Sequence, residues 1–174
     1  IDTALDRFQQ YLRYSNLDSK PYQYDGVKWC LTNEMRENPR FGVRGGFIAD
    51  EMGLGKTITM IGTLVSNLLP RTLIVVPPIL IDQWDMQILR TLGHKPLIFH
   101  GPNKKTITLD TLNKSTIVIC SYAGITLSKP QLEDKIEPSI LHKLKWDRII
   151  FDESHHMRNS TTKLYKSAIR MNAT

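Results

Sequence analysis

The chain has 174 residues, of which 41% are hydrophobic and 23% charged, as is usual for one soluble globular domain. Its 23 Lys and Arg exceed its 17 Asp and Glu, and the resulting net charge of +6 suits a polyanionic partner as well as a merely basic surface. No apolar run approaches the roughly 18 residues that a membrane helix needs, and Cys30 and Cys120 stand too far apart to indicate a zinc cluster or disulfide framework. Two isolated thiols favour a reducing, intracellular compartment.

Apolar periodicity predicts the elements in chain order. Residues 1–19 form a helical extension with Leu5, Phe8 and Leu12 on one face, and a second helix follows Pro21 and ends near Asn38, before Pro39. From there strands alternate with helices: strands are predicted at 47–49, 72–76, 97–99, 116–120 and 148–151, and helices at 58–68, 81–92 and after Ser160, the predicted N-cap.

These strands are continuous apolar runs, as expected for strands that are buried on both faces. Alternation of such strands with amphipathic helices predicts an α/β fold with a mostly parallel sheet flanked by helices. The first residues lack an initiator Met and do not resemble a signal peptide, so we expect a piece of a longer chain.

A glycine turn lies between the first predicted strand and the helix at 58–68. Gly53-Leu54-Gly55-Lys56-Thr57 has the form of a phosphate-binding loop, in which backbone N–H groups and a helix N-terminus surround an anion. Lys56 would reach the β- and γ-phosphates of ATP and the Thr57 hydroxyl would bind Mg²⁺. Asp50 departs from the generic pattern, which has Gly at that position.

Two acids end the last predicted strand. Asp152 would hold Mg²⁺, mostly through water, and Glu153 would orient and deprotonate the attacking water. His155 and His156 follow, but no third ligand is evident, so we interpret them as polar residues beside the site and not as a zinc centre.

Together these motifs resemble the first lobe of the SWI/SNF-type helicase-like ATPases, a branch of the superfamily-two helicases. The resemblance runs from about Lys20 to the C-terminus. Pro21 to Trp29 is similar to the family's opening motif, and Asp50 to Thr57, Asp-Glu-Met-Gly-Leu-Gly-Lys-Thr, is the family's own form of the loop. The aspartate that departs from the generic pattern therefore supports the resemblance.

Later segments extend the resemblance. Leu73 to Pro78 with Trp84, His100-Gly101, Val118 to Tyr122 and Asp152 to Asn159 are similar to successive family motifs. The last resembles an Asp-Glu-Ala-His box, with Ser154 in place of the usual Ala. Arg158-Asn159 is typical of the branch containing the helicase-like transcription factor and related repair translocases, and the motifs are also similar to such ATPases of large DNA viruses.

The resemblance implies a RecA-like fold over residues 20–174. It also implies that the chain stops before a Thr-Gly-Thr-Pro type motif, which in the family forms a strand beside the strand that precedes the phosphate-binding loop. It implies that Gln23 reads adenine and that the loop residues bind the phosphates. The residues expected to bind ATP are Gln23, Asp50, Glu51, Met52, Gly53, Leu54, Gly55, Lys56, Thr57 and Asp152, with Mg²⁺ on Thr57 and Asp152 and catalysis by Lys56 and Glu153.

The family further implies a translocase that contacts double-stranded DNA through phosphates, a second lobe that supplies arginines, no membrane, and a nuclear or viral location. Candidate DNA contacts are Pro78, Gly101, Ser121 and Tyr122. Lys104 and Lys105 could add phosphate contacts, but we interpret them as charged side chains that face solvent. We place Trp29 and Trp84 in the core and not in base stacking.

Two alternatives remain open for the function. One is a strand-separating helicase of the same superfamily, and the other is a non-catalytic docking module. We expect these 174 residues alone not to hydrolyse ATP at a useful rate, because they do not include the arginines of the second lobe.

Overall fold

The computed structural model describes residues 1–50 and 55–174. The chain divides into two compact units, one of Ile1–Leu68 with Arg90–Gly93 and the other of Leu69–Leu89 with His94–Thr174. Among the described residues, no helix is long and apolar enough to cross a membrane.

The first unit is built from helices. Its elements are α1 (Asp2–Tyr14), α2 (Pro21–Glu34), a short 3₁₀ turn (Arg40–Gly42) and α3 (Lys56–Ser66), and the three α-helices pack against one another. Pro21 occupies the first turn of α2, where its missing N–H would have no helical partner. Each helix buries one apolar face, as the spacing predicts.

Two glycines permit the close packing of these helices. A Cβ atom at Gly62 of α3 would lie 2.5 Å from the Phe8 ring of α1, and one at Gly26 of α2 would lie 3.0 Å from Thr59 of α3. Side chains at either position would therefore force α1 or α2 away from α3.

The second unit contains the sheet. Its strands are β1 (Thr72–Val76), β2 (Leu97–Phe99), β3 (Ile117–Ser121), β4 (Lys145–Trp146), β5 (Arg148–Phe151) and β6 (Asn172–Ala173). Four of them form a parallel sheet in the order β2-β3-β1-β5, and β4 pairs with β6 in a separate parallel pair. All residues of β1 and β3 are buried, which explains why both strands are apolar except for Thr72 and Ser121 at their ends.

Further helices connect these strands. They are α4 (Ile81–Leu92), α5 (Leu109–Asn113), α6 (Tyr122–Ile125), α7 (Lys129–Leu132) and α8 (Lys163–Ala168), with 3₁₀ turns at Pro78–Leu80, Pro102–Lys105 and Ser154–Met157. The apolar core of the second unit joins the sheet to Leu141 and Leu144, which precede β4, and to Trp146 of β4.

The predicted α/β class with a mostly parallel sheet is confirmed. Three local predictions are wrong. Residues 47–49 are not a strand: no described segment pairs with them, and Phe47 is 85% exposed. The helix after Pro21 ends at Glu34, short of Asn38. The N-cap of α8 is Thr162, whose hydroxyl accepts from the Tyr165 N–H at 3.2 Å, and not Ser160.

Candidate nucleotide-binding site

The N-terminus of α3 is the first half of the predicted site. Gly55 is its N-cap and has φ 78° and ψ 41°, a left-handed conformation that glycine adopts at little cost. The N–H groups in the first turn of a helix have no partner within the helix, and the helix dipole favours negative charge there. This end of α3 therefore suits an anion such as a phosphate.

Lys56 lies in that first turn. Its ammonium donates a hydrogen bond to the Asp50 carbonyl at 2.8 Å, so it joins the two described ends of the loop. Lys56 and Thr57 are half-buried, which leaves both side chains partly accessible. The predicted phosphate-binding residues Glu51, Met52, Gly53 and Leu54 lie outside the described residues.

Gln23 of α2 packs beside the same glycine. Its side chain is only 3% exposed, and a Cβ atom at Gly55 would come within 2.5 Å of its Nε2. The structure therefore brings together Gln23, Gly55 and Lys56, which the sequence assigned to one nucleotide site. Two distant segments meet here, since the motif that contains Gln23 lies on α2 and the loop precedes α3.

Asp152, to which the sequence assigns Mg²⁺, belongs to the second unit. It follows β5 directly, and its N–H donates to the Val75 carbonyl of β1 at 2.9 Å. Its Oδ1 accepts from the Glu153 N–H at 3.0 Å, and its Oδ2 accepts from the Trp84 indole N–H at 2.9 Å. The carboxylate is half-buried and is held at both oxygens.

Glu153 has a left-handed backbone, with φ 54° and ψ 47°. Such a conformation is uncommon for a residue with a side chain and is found most often at functional sites. Its side chain is 40% exposed, and its Oε2 lies 3.3 Å from Nδ1 of His155. The strand-to-turn geometry thus presents Glu153 to solvent beside Asp152.

The two histidines after the acids pack as rings. His155 stacks on His156 with 4.7 Å between centroids, and His156 lies 5.2 Å from the ring of Tyr122. In the part of the chain that the structure describes, no group of three or more His, Cys, Asp or Glu side chains is arranged to hold a metal ion.

Tyr122 supports the acidic turn from the end of β3. Its hydroxyl donates to the Asp152 carbonyl at 2.5 Å. Burial, and then the charges of Asp152 and Glu153, raise the pKa of Tyr122 well above its ordinary value, so the phenol stays protonated and remains a donor.

The predicted DNA-contact residues lie at the carboxyl edge of the sheet but differ in exposure. Pro78 is exposed and Gly101, with φ 71°, is half-buried. Ser121 and Tyr122 are buried, at 2% and 8% exposure. The Ser121 hydroxyl lies 3.2 Å from Nδ1 of His100, which follows the neighbouring strand β2. The side chains of Ser121 and Tyr122 are therefore engaged inside the protein.

The two tryptophans singled out in the sequence have different environments. Trp84 is 1% exposed, as predicted for a core residue, whereas Trp29 is 44% exposed and the core prediction for it is wrong. The Trp29 ring instead packs under residue 46, where a Cβ atom would come within 2.3 Å of it. The hydrogen bond from Trp84 to Asp152 was missed, because nothing in the sequence spacing relates α4 to the end of β5.

With this geometry established, comparison with known proteins identifies the class. The SNF2-related domain family matches residues 22–174. The chain belongs to that family.

Individual relatives support the same conclusion. The chain is 35% identical over 160 residues to DNA excision repair protein ERCC-6-like of Danio rerio, covering 83% of this chain and 11% of that protein. It is 30% identical over 173 residues to DNA repair and recombination protein RAD54-like of Danio rerio, covering 88% and 22%. It is 29% identical to DNA repair protein rad8 of Schizosaccharomyces pombe, covering 92% and 16%. The chain thus spans less than a quarter of the length of each.

A solved structure shows the same fold. The Sulfolobus solfataricus SWI2/SNF2 ATPase core in complex with dsDNA superposes with a TM-score of 0.67 at 24% identity, covering 90% of this chain and 30% of that one. The likeness confirms the predicted fold, and the family match over residues 22–174 confirms the predicted resemblance.

Proposed function

We propose that this chain is the ATP-binding half of a DNA-dependent ATPase that translocates on double-stranded DNA. The observation that carries the proposal is the meeting of Gln23, Gly55 and Lys56 at the N-terminus of α3, within a chain of the SNF2-related family. Residues 1–19 form an extension and residues 20–174 the first RecA-like lobe; the family match begins at residue 22, which supports this division.

ATP would bind with its phosphates at residues 50–57 and its adenine near Gln23. Lys56 would place its charge against the β- and γ-phosphates, exchanging its bond to the Asp50 carbonyl for one to phosphate. Gln23 is the residue placed beside the adenine because its buried side chain packs against Gly55 at the start of α3.

Asp152 and Thr57 would hold Mg²⁺. Each oxygen of Asp152 accepts one hydrogen bond, and a carboxylate oxygen has two lone pairs, so both oxygens keep acceptor capacity for a hard cation or its water. The half-buried carboxylate and the Thr57 hydroxyl are oxygen donors of the kind that Mg²⁺ prefers. When bound, the ion would neutralise charge on the β- and γ-phosphates.

Glu153 would act as the general base. Its exposed carboxylate, on a strained turn beside Asp152, could orient a water molecule and accept its proton. The negative charge that develops on the γ-phosphate would be stabilised by Lys56 and by arginines from a second lobe, an effect worth about 10³ to 10⁵ in rate where such arginines have been removed.

DNA would bind mainly through its phosphates. The net charge of +6 and the exposed Lys104 and Lys105 favour a sequence-independent, salt-sensitive contact. Pro78 and Gly101 remain candidates for direct contact, because they are accessible. Ser121 and Tyr122 would act through their backbone at the junction of β3 and α6, since their side chains are buried. DNA repair relatives favour a nuclear location in a eukaryotic cell.

ATP turnover by the full-length protein, with and without duplex DNA, tests this function. The expected result is turnover that duplex DNA stimulates and that Lys56→Ala abolishes. If the Lys56→Ala variant binds nucleotide with unchanged affinity, the loop at residues 50–57 is not the phosphate-binding site.

A further inference from the structure

Asp152 is held from α4 by a contact that the proposed mechanism does not use. The torsion that turns an aspartate carboxylate about its last bond is broad, so an isolated carboxylate samples many orientations. Here the Glu153 N–H binds Oδ1 and the Trp84 indole N–H binds Oδ2, one donor on each oxygen. Two donors on opposite oxygens fix the plane of the carboxylate.

Trp84 is well suited to this task. It is 1% exposed, on α4, and an indole has a single N–H and no acceptor. A buried indole N–H without a partner would lose free energy, so the bond to Asp152 is strongly favoured. Because the ring is buried, the same preference restricts the orientation of the Asp152 carboxylate.

We infer that Trp84 is a positioning residue, which holds the Asp152 carboxylate in the orientation that binds the cation of an ATP complex. This inference rests on the proposed function, because it assigns Trp84 a role in the same site. Side chains that orient a metal-binding carboxylate typically contribute 10- to 100-fold to metal affinity or activity.

The protein contains a matched control. Trp146 is 0% exposed in the same unit, and its indole N–H donates to the Leu141 carbonyl at 2.9 Å. Trp146→Phe therefore removes a buried indole hydrogen bond of the same length as Trp84→Phe does, but the acceptor is a backbone carbonyl and not a carboxylate. Both variants should lose stability, and only one should lose cation binding.

The experiment measures binding of Mn²⁺ to the full-length protein by electron paramagnetic resonance, in the presence of a non-hydrolysable ATP analogue. We expect Trp84→Phe to weaken Mn²⁺ binding about 10-fold or more. Binding of the analogue without metal should be unchanged, and Trp146→Phe should retain wild-type Mn²⁺ affinity. Equal Mn²⁺ affinity in the two variants would overturn the inference.

A second variant covers the case in which Trp84→Phe does not fold. Incorporation at position 84 of the tryptophan analogue with sulfur in place of the indole N–H keeps the ring volume and deletes only the donor. Weakened Mn²⁺ binding in that protein supports the inference, and wild-type affinity overturns it. If the wild-type protein itself binds neither the analogue nor Mn²⁺, the proposed function fails; if it binds both and the variants match it, only the role of Trp84 fails.

Discussion

The amide of Gln23 lies against Gly55, so closely that a Cβ atom at position 55 would come within 2.5 Å of the Gln23 Nε2. This relationship links the N-terminal motif on α2 to the phosphate loop through one contact. Position 55 therefore requires glycine for two reasons. Its φ of 78° is unfavourable for other residues, and a side chain there would collide with Gln23.

Gly55→Ala should therefore weaken nucleotide binding and lower the stability of the protein. Gly93 is the control: it has φ 62°, but no atom lies within 4 Å of a Cβ placed there. Gly93→Ala should show only the backbone strain, on the order of 1 kcal/mol. Chemical denaturation and nucleotide titration of both variants measure the difference. Equal losses in the two would mean that the contact with Gln23 is unimportant.

Glu153→Gln separates binding from chemistry. The amide cannot accept the proton of the attacking water, so we expect turnover to fall at least ~10²-fold while ATP remains bound. Rapid-quench measurement of the hydrolysis rate, together with an independent binding assay, reports both quantities. A collapse of ATP affinity with a normal rate per bound ATP would instead assign Glu153 a structural role.

The start of α8 provides a stability test. Thr162→Ala removes the hydroxyl that accepts from the Tyr165 N–H, and loss of such a cap typically lowers the unfolding free energy by about 1 kcal/mol. Ser160→Ala should have little effect, because Ser160 is exposed and lies outside the helix. Urea unfolding curves compare the two. A larger loss of unfolding free energy in Ser160→Ala than in Thr162→Ala would show that Ser160 is the N-cap, as the sequence predicts.

A half-buried histidine predicts a pH dependence of stability. The Nε2–H of His142 donates to the Ser167 carbonyl at 2.9 Å, and its Nδ1 lies 2.8 Å from the Ser139 hydroxyl. Burial lowers the pKa of His142 below its ordinary value of about 6.5, although the bond to Ser167 opposes this change. The folded protein thus binds a proton at this site less readily than the unfolded chain.

The stabilisation from His142 should consequently be present above about pH 6.5 and diminish as the pH falls below it. Unfolding free energies measured between pH 5 and 7.5 should rise with pH across this range in the wild type. The slope should be smaller in His142→Gln. An identical slope in both proteins would show that other groups cause the dependence.

The elements that the sequence predicts correctly are those whose local pattern of apolar residues is sufficient to define them. Strand β1 was predicted with its observed bounds, because its five branched or apolar residues are buried on both faces and Pro77 stops it. The segment at 47–49 has a similar local pattern, yet it is not a strand, since strand structure depends on a hydrogen-bonded neighbour and not on sequence alone. Local patterns cannot show whether that neighbour is present.

The candidate site shows the same limit. Gln23, Lys56 and Glu153 could be proposed as site residues from the sequence, because each lies in a short motif whose order along the chain is specific. The bonds from Trp84 and Tyr122 to Asp152 join positions 68 and 30 residues apart, and no periodicity reports such a pairing. Ser160 and Thr162 are both good N-cap residues, so the sequence alone does not show which of them begins α8. The position of the cap depends on where the chain turns into the helix, and that is at Thr162.

The most direct test of the account is the rate of ATP hydrolysis by the full-length protein, measured with and without duplex DNA at low and moderate salt, beside Lys56→Ala. Lys56→Ala removes the cation proposed to face the β- and γ-phosphates, so turnover should vanish in the variant. The wild-type rate should rise with duplex DNA, and the DNA concentration needed for half-stimulation should increase with salt. Turnover that is indifferent to duplex DNA, or that survives Lys56→Ala, would contradict the account.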